Sequence, residues 1–371
     1  MHSIKWIKIW FCIIMLIPLL GLFNYVIDPY GFNKMILMKN INLIKEDNTG
    51  YTIKYKMPNL RNGNWDNIML GTSRIGLMDT KVVNKYLGGK TFTMSQPGSA
   101  IPIQYDSFLY AIKFNNVKNV VYGIDFMSFN KNIKLNNDYV QFKEELQSFG
   151  RFYTFDMYFN IGKVKKSIDT ILNNSSNHSR YGAMYSENGE RHFYQYKQRL
   201  REGTFDLQRS IDKHIKWYFS KVGNYYNYEY SSKYMQQFKR IVDYCNNNSI
   251  KLYVYIPPMY SKHFYAIKES GLKDEFEQFK KDLAKITDYI DFTGVNSITN
   301  NRNNYWDSSH LRKEHTELIM AKLFRSQNTY KHEDFGILIT EDNVEDHLKS
   351  QSHQYKKINL KKILTTDYKR R

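Results

Sequence analysis

The chain has 371 residues, a hydrophobic fraction of 42% and a formal net charge of +18. The hydrophobic fraction excludes a disordered chain, and the length allows one large domain with insertions or two modest ones. Only two cysteines occur, Cys12 and Cys245, and there is no zinc-spaced Cys/His cluster, HExxH motif or Walker A loop. We therefore expect no disulfide framework, no metal and no cofactor.

The positive charge is spread along the chain and concentrates only near the C-terminus, at Lys356-Lys357, Lys361-Lys362 and Lys369-Arg370-Arg371. A basic surface favours anionic partners such as acidic lipid headgroups or phosphate-rich polymers. Because the basic residues are scattered, we interpret the charge as a general surface property and expect no nucleic-acid partner.

The N-terminal segment predicts a membrane anchor. No charged or strongly polar side chain interrupts Ile9–Phe23, and extension to Val26 admits only Asn24. This run approaches the ~20 residues that a membrane-spanning helix needs. Lys5 and Lys8 precede it, so the positive-inside rule predicts a single-pass protein with a cytoplasmic N-terminus and an extracytoplasmic domain. A cleaved signal peptide and a buried core helix are the alternatives, but no A-x-A pattern follows the run.

Short apolar runs then alternate with helical patterns, which predicts an α/β fold with a parallel sheet. The predicted strands are Asn67–Leu70, Lys90–Ser95, Val117–Ile124, Ile250–Ile256 and Tyr289–Phe292. The predicted helices between and after them are Lys81–Tyr86, Ile103–Phe114, Lys233–Asn246, Leu272–Thr287 and Glu314–Phe324.

Residues 131–230 break this alternation and predict a helical insertion, with helices over Phe155–Leu172 and Asp206–Phe219. We expect this insertion to cover the functional site as a lid. Its aromatic residues would then stack on sugar rings, with ordinary packing as the alternative. The predicted organisation is an anchor over 1–30, an α/β domain over 31–325 that contains the insertion, and a basic tail over 326–371.

A serine follows the first predicted strand, in Gly71-Thr72-Ser73-Arg74. A turn at the carboxyl end of a parallel strand faces the crevice where ligands bind in α/β folds. With Gly76 the spacing is G-x-S-x-x-G, which differs from the G-x-S-x-G of α/β-hydrolases. Turns that contain glycine and serine also occur without any catalytic role.

An aspartate and a histidine share one short loop near the end of the domain, in Trp306-Asp307-Ser308-Ser309-His310. At this spacing the carboxylate can hold one imidazole nitrogen, which leaves the other nitrogen free to take a proton from a serine. The alternative is that Asp307 only caps the helix that follows.

The order of Ser73, Asp307 and His310 resembles the motif order of the SGNH or GDSL-like hydrolases. This resemblance implies a three-layer α/β/α fold in which Ser73 is the nucleophile, His310 the base and Asp307 its acidic partner. It also implies that the backbone N–H groups of Ser73 and Gly98, which follows the second strand, form the oxyanion hole.

Two blocks depart from the family pattern. The chain has Gly71-Thr72-Ser73 where Gly-Asp-Ser is usual, and Gly123-Ile124-Asp125-Phe126 where Gly-x-Asn-Asp is expected. A carboxylate at Asp125 cannot donate a hydrogen bond to an oxyanion. We expect Asp125 to pair with Arg74 and to support the serine turn, or else Asn130 or Arg74 to supply the missing donor.

Together with the anchor and Asp28-Pro29-Tyr30-Gly31, these motifs resemble the membrane-anchored SGNH-like proteins of bacterial cell-envelope acylation systems. Examples are the alginate O-acetylation proteins and, more distantly, the D-alanyl transfer protein of teichoic acid operons. The resemblance implies a serine acyltransferase or esterase with an anionic envelope glycan or polymer as substrate. It also implies a membrane-bound O-acyltransferase (MBOAT) as partner. The alternatives are a catalytically silent envelope protein and a nucleic-acid-associated membrane protein, against which the predicted topology argues.

Overall fold

The computed structural model describes residues 2–31, 33, 36–43, 45, 52–150, 158–175, 185–325 and 332–365. The chain divides into two compact units. The first comprises Met1–Pro58, Gly150–Ser186 and His192–Phe205, and the second comprises Asn59–Phe149, Glu187–Arg191 and Asp206–Arg371.

The described helices and strands alternate through much of the chain. The helices are α1 His2–Ile27, α2 Thr52–Asn62, α3 Thr80–Leu87, α4 Ile101–Phe114, α5 Asn137–Gln147, α6 Ile161–Ser175, α7 Tyr194–Arg201, α8 Leu207–Tyr218, α9 Ser232–Asn247, α10 Ser261–Glu269, α11 Lys273–Ala284, α12 Thr316–Leu323, α13 Val344–Gln354 and α14 Leu360–Thr365. The strands are β1 Asn67–Gly71, β2 Thr91–Ser95, β3 Asn119–Gly123, β4 Lys251–Ile256, β5 Tyr289–Asp291 and β6 Ile337–Ile339.

In the first unit, α1 includes the whole apolar run Ile9–Phe23, from which the sequence predicts a membrane anchor. Asn24, near the end of α1, is buried in protein contacts. Its side-chain amide donates to the backbone carbonyl oxygen of Tyr158 at 2.6 Å, and its oxygen accepts from the Ser167 hydroxyl at 2.8 Å. Across the described residues, no helix combines the length and the hydropathy that crossing a membrane requires. This differs from the membrane-spanning helix that the sequence predicts.

The second unit is built on a six-stranded sheet with the order β2-β1-β3-β4-β5-β6. The first five strands in sequence are parallel, and β6 joins β5 antiparallel. The predicted α/β class with a mostly parallel sheet is therefore confirmed. Gly71 at the end of β1 is in register with Ser95 of β2 and Gly123 of β3, so the loops that follow these strands leave the same edge.

Helices flank both faces of the sheet, which explains why its first three strands are buried along their whole length. On one face Met69 and Val121 belong to a buried cluster with Val83 of α3 and Met320 of α12. Tyr122 points to the other face, where its hydroxyl donates to the side-chain oxygen of Gln104 at 2.7 Å in α4. This packing holds the strand ends in fixed positions.

Part of the C-terminal region belongs to the fold of this unit. The Lys280 ammonium is fully buried, and it donates to Asp291 at 2.7 Å and to Gln351 of α13 at 2.5 Å. A second contact joins α14 to the insertion, because Leu360 and Ile363 pack with Ile211 and Ile215 of α8. The C-terminal residues therefore cover one face of α8.

Gly71 gives the first testable prediction. Its φ is +146°, and a Cβ at this position would lie 2.3 Å from the carbonyl oxygen of Gly123 on the neighbouring strand. Gly71→Ala is expected to lower the free energy of unfolding by about 2–4 kcal/mol, which urea or thermal unfolding measures. Gly88→Ala is the control, because Gly88 has a φ of +70° but nothing within 4 Å of its added Cβ. Equal losses in the two variants would contradict the predicted clash.

Candidate active site

Three side chains named by the sequence motifs meet at the carboxyl edge of the sheet. Ser73 lies in the turn after β1, while Asp307 and His310 lie in the loop before α12. The Ser73 hydroxyl oxygen is 2.8 Å from Nε2 of His310. All three residues are buried. The structure thus brings together residues that are far apart in sequence.

Asp307 contacts both the backbone of its own loop and the imidazole of His310. One carboxylate oxygen accepts the backbone N–H groups of Ser309 at 2.9 Å and His310 at 3.0 Å. The other oxygen lies 2.8 Å from Nδ1 of His310. Capping and catalytic orientation therefore occur together. Because Nδ1 faces a carboxylate and carries the proton of the neutral ring, Nε2 presents its lone pair to Ser73.

A second imidazole shares this carboxylate. Nδ1 of His214, on α8, lies 3.0 Å from the Asp307 oxygen that caps the loop, and it also lies 3.0 Å from the Ser308 hydroxyl. Donor atoms of His214, Asp307 and His310 lie within 4.8 Å of one another, so these residues have the composition of a metal site. Each imidazole Nδ1 here lies at hydrogen-bond distance from a carboxylate oxygen, an arrangement that also suits proton transfer.

The charge states of the site suit a general base. Burial acts to raise the pKa of the Asp307 carboxyl, but the charges and hydrogen bonds of His214 and His310 outweigh it and hold this pKa well below its usual value. Burial lowers the pKa of His310 to about 4, although the Asp307 charge acts in the opposite direction. At neutral pH the site therefore combines a carboxylate with a neutral imidazole.

The pKa of His310 sets the expected pH dependence. As the pH rises through the pKa, the imidazole loses its proton and becomes able to accept one from Ser73. The rate of Ser73 acylation by an activated ester is therefore expected to rise with pH through about 4 and then to level off. Circular dichroism at each pH separates loss of activity from unfolding. A half-maximal rate at about pH 6.5, the pKa of an ordinary histidine, would contradict the predicted effect of burial.

Ser73 and Gly98, whose backbone N–H groups could act as donors, line the same cavity. Gly98 follows β2 with a φ of +60°, and it lines a cavity together with Ser73 and His310. Within the described part of the chain, no hydrogen bond uses the backbone N–H of Ser73 or of Gly98. Both donors are thus available to a ligand, in the manner of an oxyanion hole.

Arg74 and Asp125 form a buried ion pair next to the serine turn. An Arg74 guanidinium nitrogen lies 2.7 Å from an Asp125 carboxylate oxygen, and the Thr72 hydroxyl donates to the other oxygen. Burial acts to lower the pKa of Arg74, but the Asp125 charge outweighs it and raises this pKa above its usual value. Burial raises the pKa of Asp125, against the charge of Arg74 and the Thr72 hydrogen bond. The direct contact with an arginine that stays charged favours an ionised carboxylate, so the pair fixes the turn.

Asn130 and Arg74, the two further oxyanion donors that the sequence suggests, lie elsewhere. The Asn130 side-chain amide donates to the backbone carbonyl oxygen of Asn224 at 3.0 Å. Arg74 is engaged with Asp125. Neither Asn130 nor Arg74 is among the described residues that line the cavity. They support the loops around the site and do not face the ligand space.

The cavity in front of Ser73 has a volume of about 680 Å³. The loops after β1 and β2 line one part of it, and the predicted insertion contributes Lys134, Trp217, Lys221 and Tyr226. No aspartate or glutamate occurs among the described residues that line it. The cavity therefore favours an anionic or neutral polar ligand over a cationic one.

The comparisons with known proteins are negative. No family model matches the chain, and a search of the curated proteins finds no match. The chemistry assigned to this site rests on the positions of its own side chains.

Proposed function

We propose that the chain is a serine acyltransferase or esterase of the SGNH type that acts on O-acyl groups of a cell-envelope polymer. The observation that carries this proposal is the 2.8 Å contact between the Ser73 hydroxyl and Nε2 of His310, with Asp307 on the opposite ring nitrogen. A serine oriented in this way is activated for nucleophilic attack.

In the first half of the proposed reaction, Ser73 attacks the carbonyl carbon of an ester. His310 takes the hydroxyl proton as the new C–O bond forms, and Asp307 stabilises the resulting imidazolium. The carbonyl oxygen becomes an oxyanion that accepts hydrogen bonds from the backbone N–H groups of Ser73 and Gly98. His310 then returns the proton to the leaving alkoxide as the original ester bond breaks, and an acyl-serine remains.

The second half of the reaction reverses these proton transfers. A hydroxyl group of the acceptor, or a water molecule, attacks the acyl-serine while His310 takes its proton. Collapse of the second tetrahedral intermediate breaks the bond to Ser73, and His310 returns the proton to the serine. The acyl group leaves as an ester of the acceptor or as a free acid, and the enzyme is regenerated.

The fold supports the SGNH assignment within this proposal. Ser73 follows the first strand of the sheet, Gly98 follows the second, and the loop of Asp307 and His310 precedes the last helix of the α/β core. Helices on both faces of the mostly parallel sheet agree with the three-layer α/β/α arrangement of that family.

The substrate class in this proposal is an anionic envelope glycan or a teichoic-acid-like polymer. Lys134 and Lys221 line the cavity, and both are exposed and able to approach phosphate or carboxylate groups. Trp217 and Tyr226 are each 41% exposed and offer aromatic faces for sugar rings. The absence of carboxylates from the described lining removes repulsion of such a ligand.

The test is to detect an acyl-enzyme on the full chain. The protein is incubated with p-nitrophenyl acetate, quenched in acid and digested, and the peptide that contains Ser73 is examined by mass spectrometry. An acetyl group on Ser73 is the expected result. An unmodified peptide, together with no turnover of acylated envelope polymers, would instead favour a silent binding protein that keeps the fold and the cavity.

We further propose a location at the cell membrane, with the catalytic unit outside the cytoplasm and an MBOAT protein as partner. The support is that α1 leaves large apolar side chains uncovered within the described chain, with Trp6 and Phe11 exposed by 61% and 63%. Such an exposed apolar surface favours contact with lipid or with an apolar protein partner. Lys5 at its start favours a cytoplasmic N-terminus.

This location makes a topology prediction. Alkaline phosphatase, which is active only outside the cytoplasm, is expected to be active when it is fused after Arg371, and the fusion is expected to sediment with membranes. The control is the same fusion without residues 1–27, which should be inactive and should leave the membrane fraction. An active cytoplasmic reporter at the same junction would reject the location without affecting the proposed chemistry.

A further inference from the structure

The turn after α8 brings one side-chain amide to the reaction site. Asn224 is 8% exposed, and it lines the same cavity as Ser73, Gly98 and His310. We propose that Asn224 is a catalytic residue whose side-chain N–H joins those of the Ser73 and Gly98 backbones in stabilising the oxyanion. This inference rests on the proposed acyl-transfer function and adds a residue that the sequence motifs do not contain.

The contact with Gly98 places the amide next to the backbone donors. The Asn224 amide nitrogen lies 3.3 Å from the point that a Cβ on Gly98 would occupy. Gly98 has a φ of +60° and no side chain, so its backbone can approach this amide closely. Two donors from different parts of the chain therefore adjoin one another at the cavity wall.

The amide nitrogen retains a hydrogen to donate. Within the described part of the chain, its hydrogen bond is to the sulfur of Met127 at 3.0 Å. A thioether is a weak acceptor, and an amide nitrogen carries two hydrogens. A developing oxyanion in the cavity is a much stronger acceptor than this sulfur.

The surrounding turn holds Asn224 in a fixed position. Its backbone carbonyl oxygen accepts from Asn130 at 3.0 Å, and the N–H of the next residue, Tyr225, donates to the carbonyl oxygen of Tyr218 at 3.0 Å. At Gly223 an added Cβ would lie 1.9 Å from the carbonyl oxygen of Trp217, so the turn is tightly packed. A donor that is fixed before the reaction needs little reorganisation when charge develops.

Of the other three amides that line the described cavity, Asn137 is exposed to solvent, and the remaining two donate to backbone carbonyl oxygens. The Asn136 amide donates to the carbonyl oxygen of Pro97 at 3.1 Å, and the Asn132 amide donates to that of Asn227 at 2.9 Å. Asp125, which lacks a proton to donate in its ion pair with Arg74, cannot serve. Asn224 is thus the cavity amide that combines contact with Gly98 and a weak present acceptor.

The proposed role involves no proton transfer and no covalent bond to Asn224. The carbonyl oxygen of the bound ester gains negative charge as the Ser73 oxygen bonds to the carbonyl carbon. The Asn224 N–H donates to that oxygen while the tetrahedral intermediate exists, and the interaction weakens when the carbonyl group re-forms. The amide therefore lowers the barrier of both half-reactions without strengthening substrate binding.

The test compares two asparagine variants of the full chain in p-nitrophenyl acetate hydrolysis. Asn224→Ala is expected to lower kcat by about 10²–10³-fold with KM changed by less than about 3-fold, as for the loss of one oxyanion donor. Asn246→Ala is the control, because Asn246 is exposed on α9 and is not among the described residues that line the cavity. Its kcat is expected to stay within about 3-fold of the wild type.

A second variant tests the donor itself, and thermal unfolding of each variant identifies any loss of folding. Asn224→Asp keeps the size of the side chain but replaces the donor by a carboxylate, and is expected to lose at least as much kcat as Asn224→Ala. Equal kcat values in Asn224→Ala and Asn246→Ala, or a change confined to KM, would overturn the inference while leaving acyl transfer intact. A wild-type protein without Ser73-dependent turnover would overturn the proposed function, and the inference with it.

Discussion

Ser73→Ala is expected to abolish the acyl-enzyme and to lower turnover by at least about 10⁴-fold. In the proposed mechanism the Ser73 oxygen bonds to the acyl carbon, and the described hydrogen bond of this hydroxyl is to Nε2 of His310. A methyl group at this position can neither form the bond nor transfer a proton. Mass spectrometry of the acylated peptide and steady-state hydrolysis measure the two effects.

The fold should survive this substitution. The Ser73 hydroxyl contributes one hydrogen bond to an imidazole that Asp307 already orients, so its loss is expected to cost about 1 kcal/mol or less. Ser270→Ala serves as the control, because the Ser270 hydroxyl also makes one hydrogen bond, which it donates to the backbone carbonyl oxygen of Ile267 at the end of α10. Acylation that persists in Ser73→Ala on another residue would identify a different nucleophile and reject the proposed mechanism.

The elements that carry Ser73, Asp307 and His310 were predictable because their signals are local. The apolar run that forms β1 ends in a glycine turn, and that turn positions Ser73. The Asp307–His310 spacing places both side chains in one loop, where the carboxylate caps backbone N–H groups and contacts the imidazole. Such short-range patterns depend little on the rest of the chain.

The residues that the insertion contributes to the site are positioned by tertiary packing. The pattern of α8 predicts a helix, but it does not indicate that His214 meets Asp307 while Ile211 and Ile215 meet α14. Asn224 lies in an irregular turn whose position depends on a hydrogen bond to Asn130, across the insertion. Neither residue has a local sequence signal, so only the folded arrangement reveals their proximity to the site.

The structure of the C-terminal region was likewise not predictable from local sequence patterns. β6 has only three residues, and β5 supplies its pairing partner from a distant part of the chain. The buried Lys280 is paired with Asp291 on β5 and with Gln351 on α13. Charged residues in a sequence usually indicate an exposed segment, and burial of this lysine depends on partners that no local pattern brings together.

Asp307→Asn is expected to lower kcat by about 10⁴-fold while leaving the fold nearly unchanged. The asparagine oxygen can still accept the backbone N–H groups of Ser309 and His310, so the loop remains capped. Its amide nitrogen would face Nδ1 of His310, which must then accept a hydrogen bond and carry its proton on Nε2. An imidazole in that tautomer cannot take the proton of Ser73. Steady-state kinetics with p-nitrophenyl acetate and thermal unfolding measure the two properties.

Asp307→Ala separates the two roles of this carboxylate. It removes the loop cap as well as the contact with the imidazole, so it is expected to lower stability by about 1 kcal/mol more than Asp307→Asn does, with a similar loss of kcat. The His214 contact adds to this difference, because an amide oxygen in the asparagine variant can still accept from Nδ1 of His214, whereas alanine offers no acceptor. If Asp307→Asn retained near wild-type kcat, Asp307 would act as a cap alone. Ser73 and His310 would then have to work as a pair without a carboxylate that sets the tautomer.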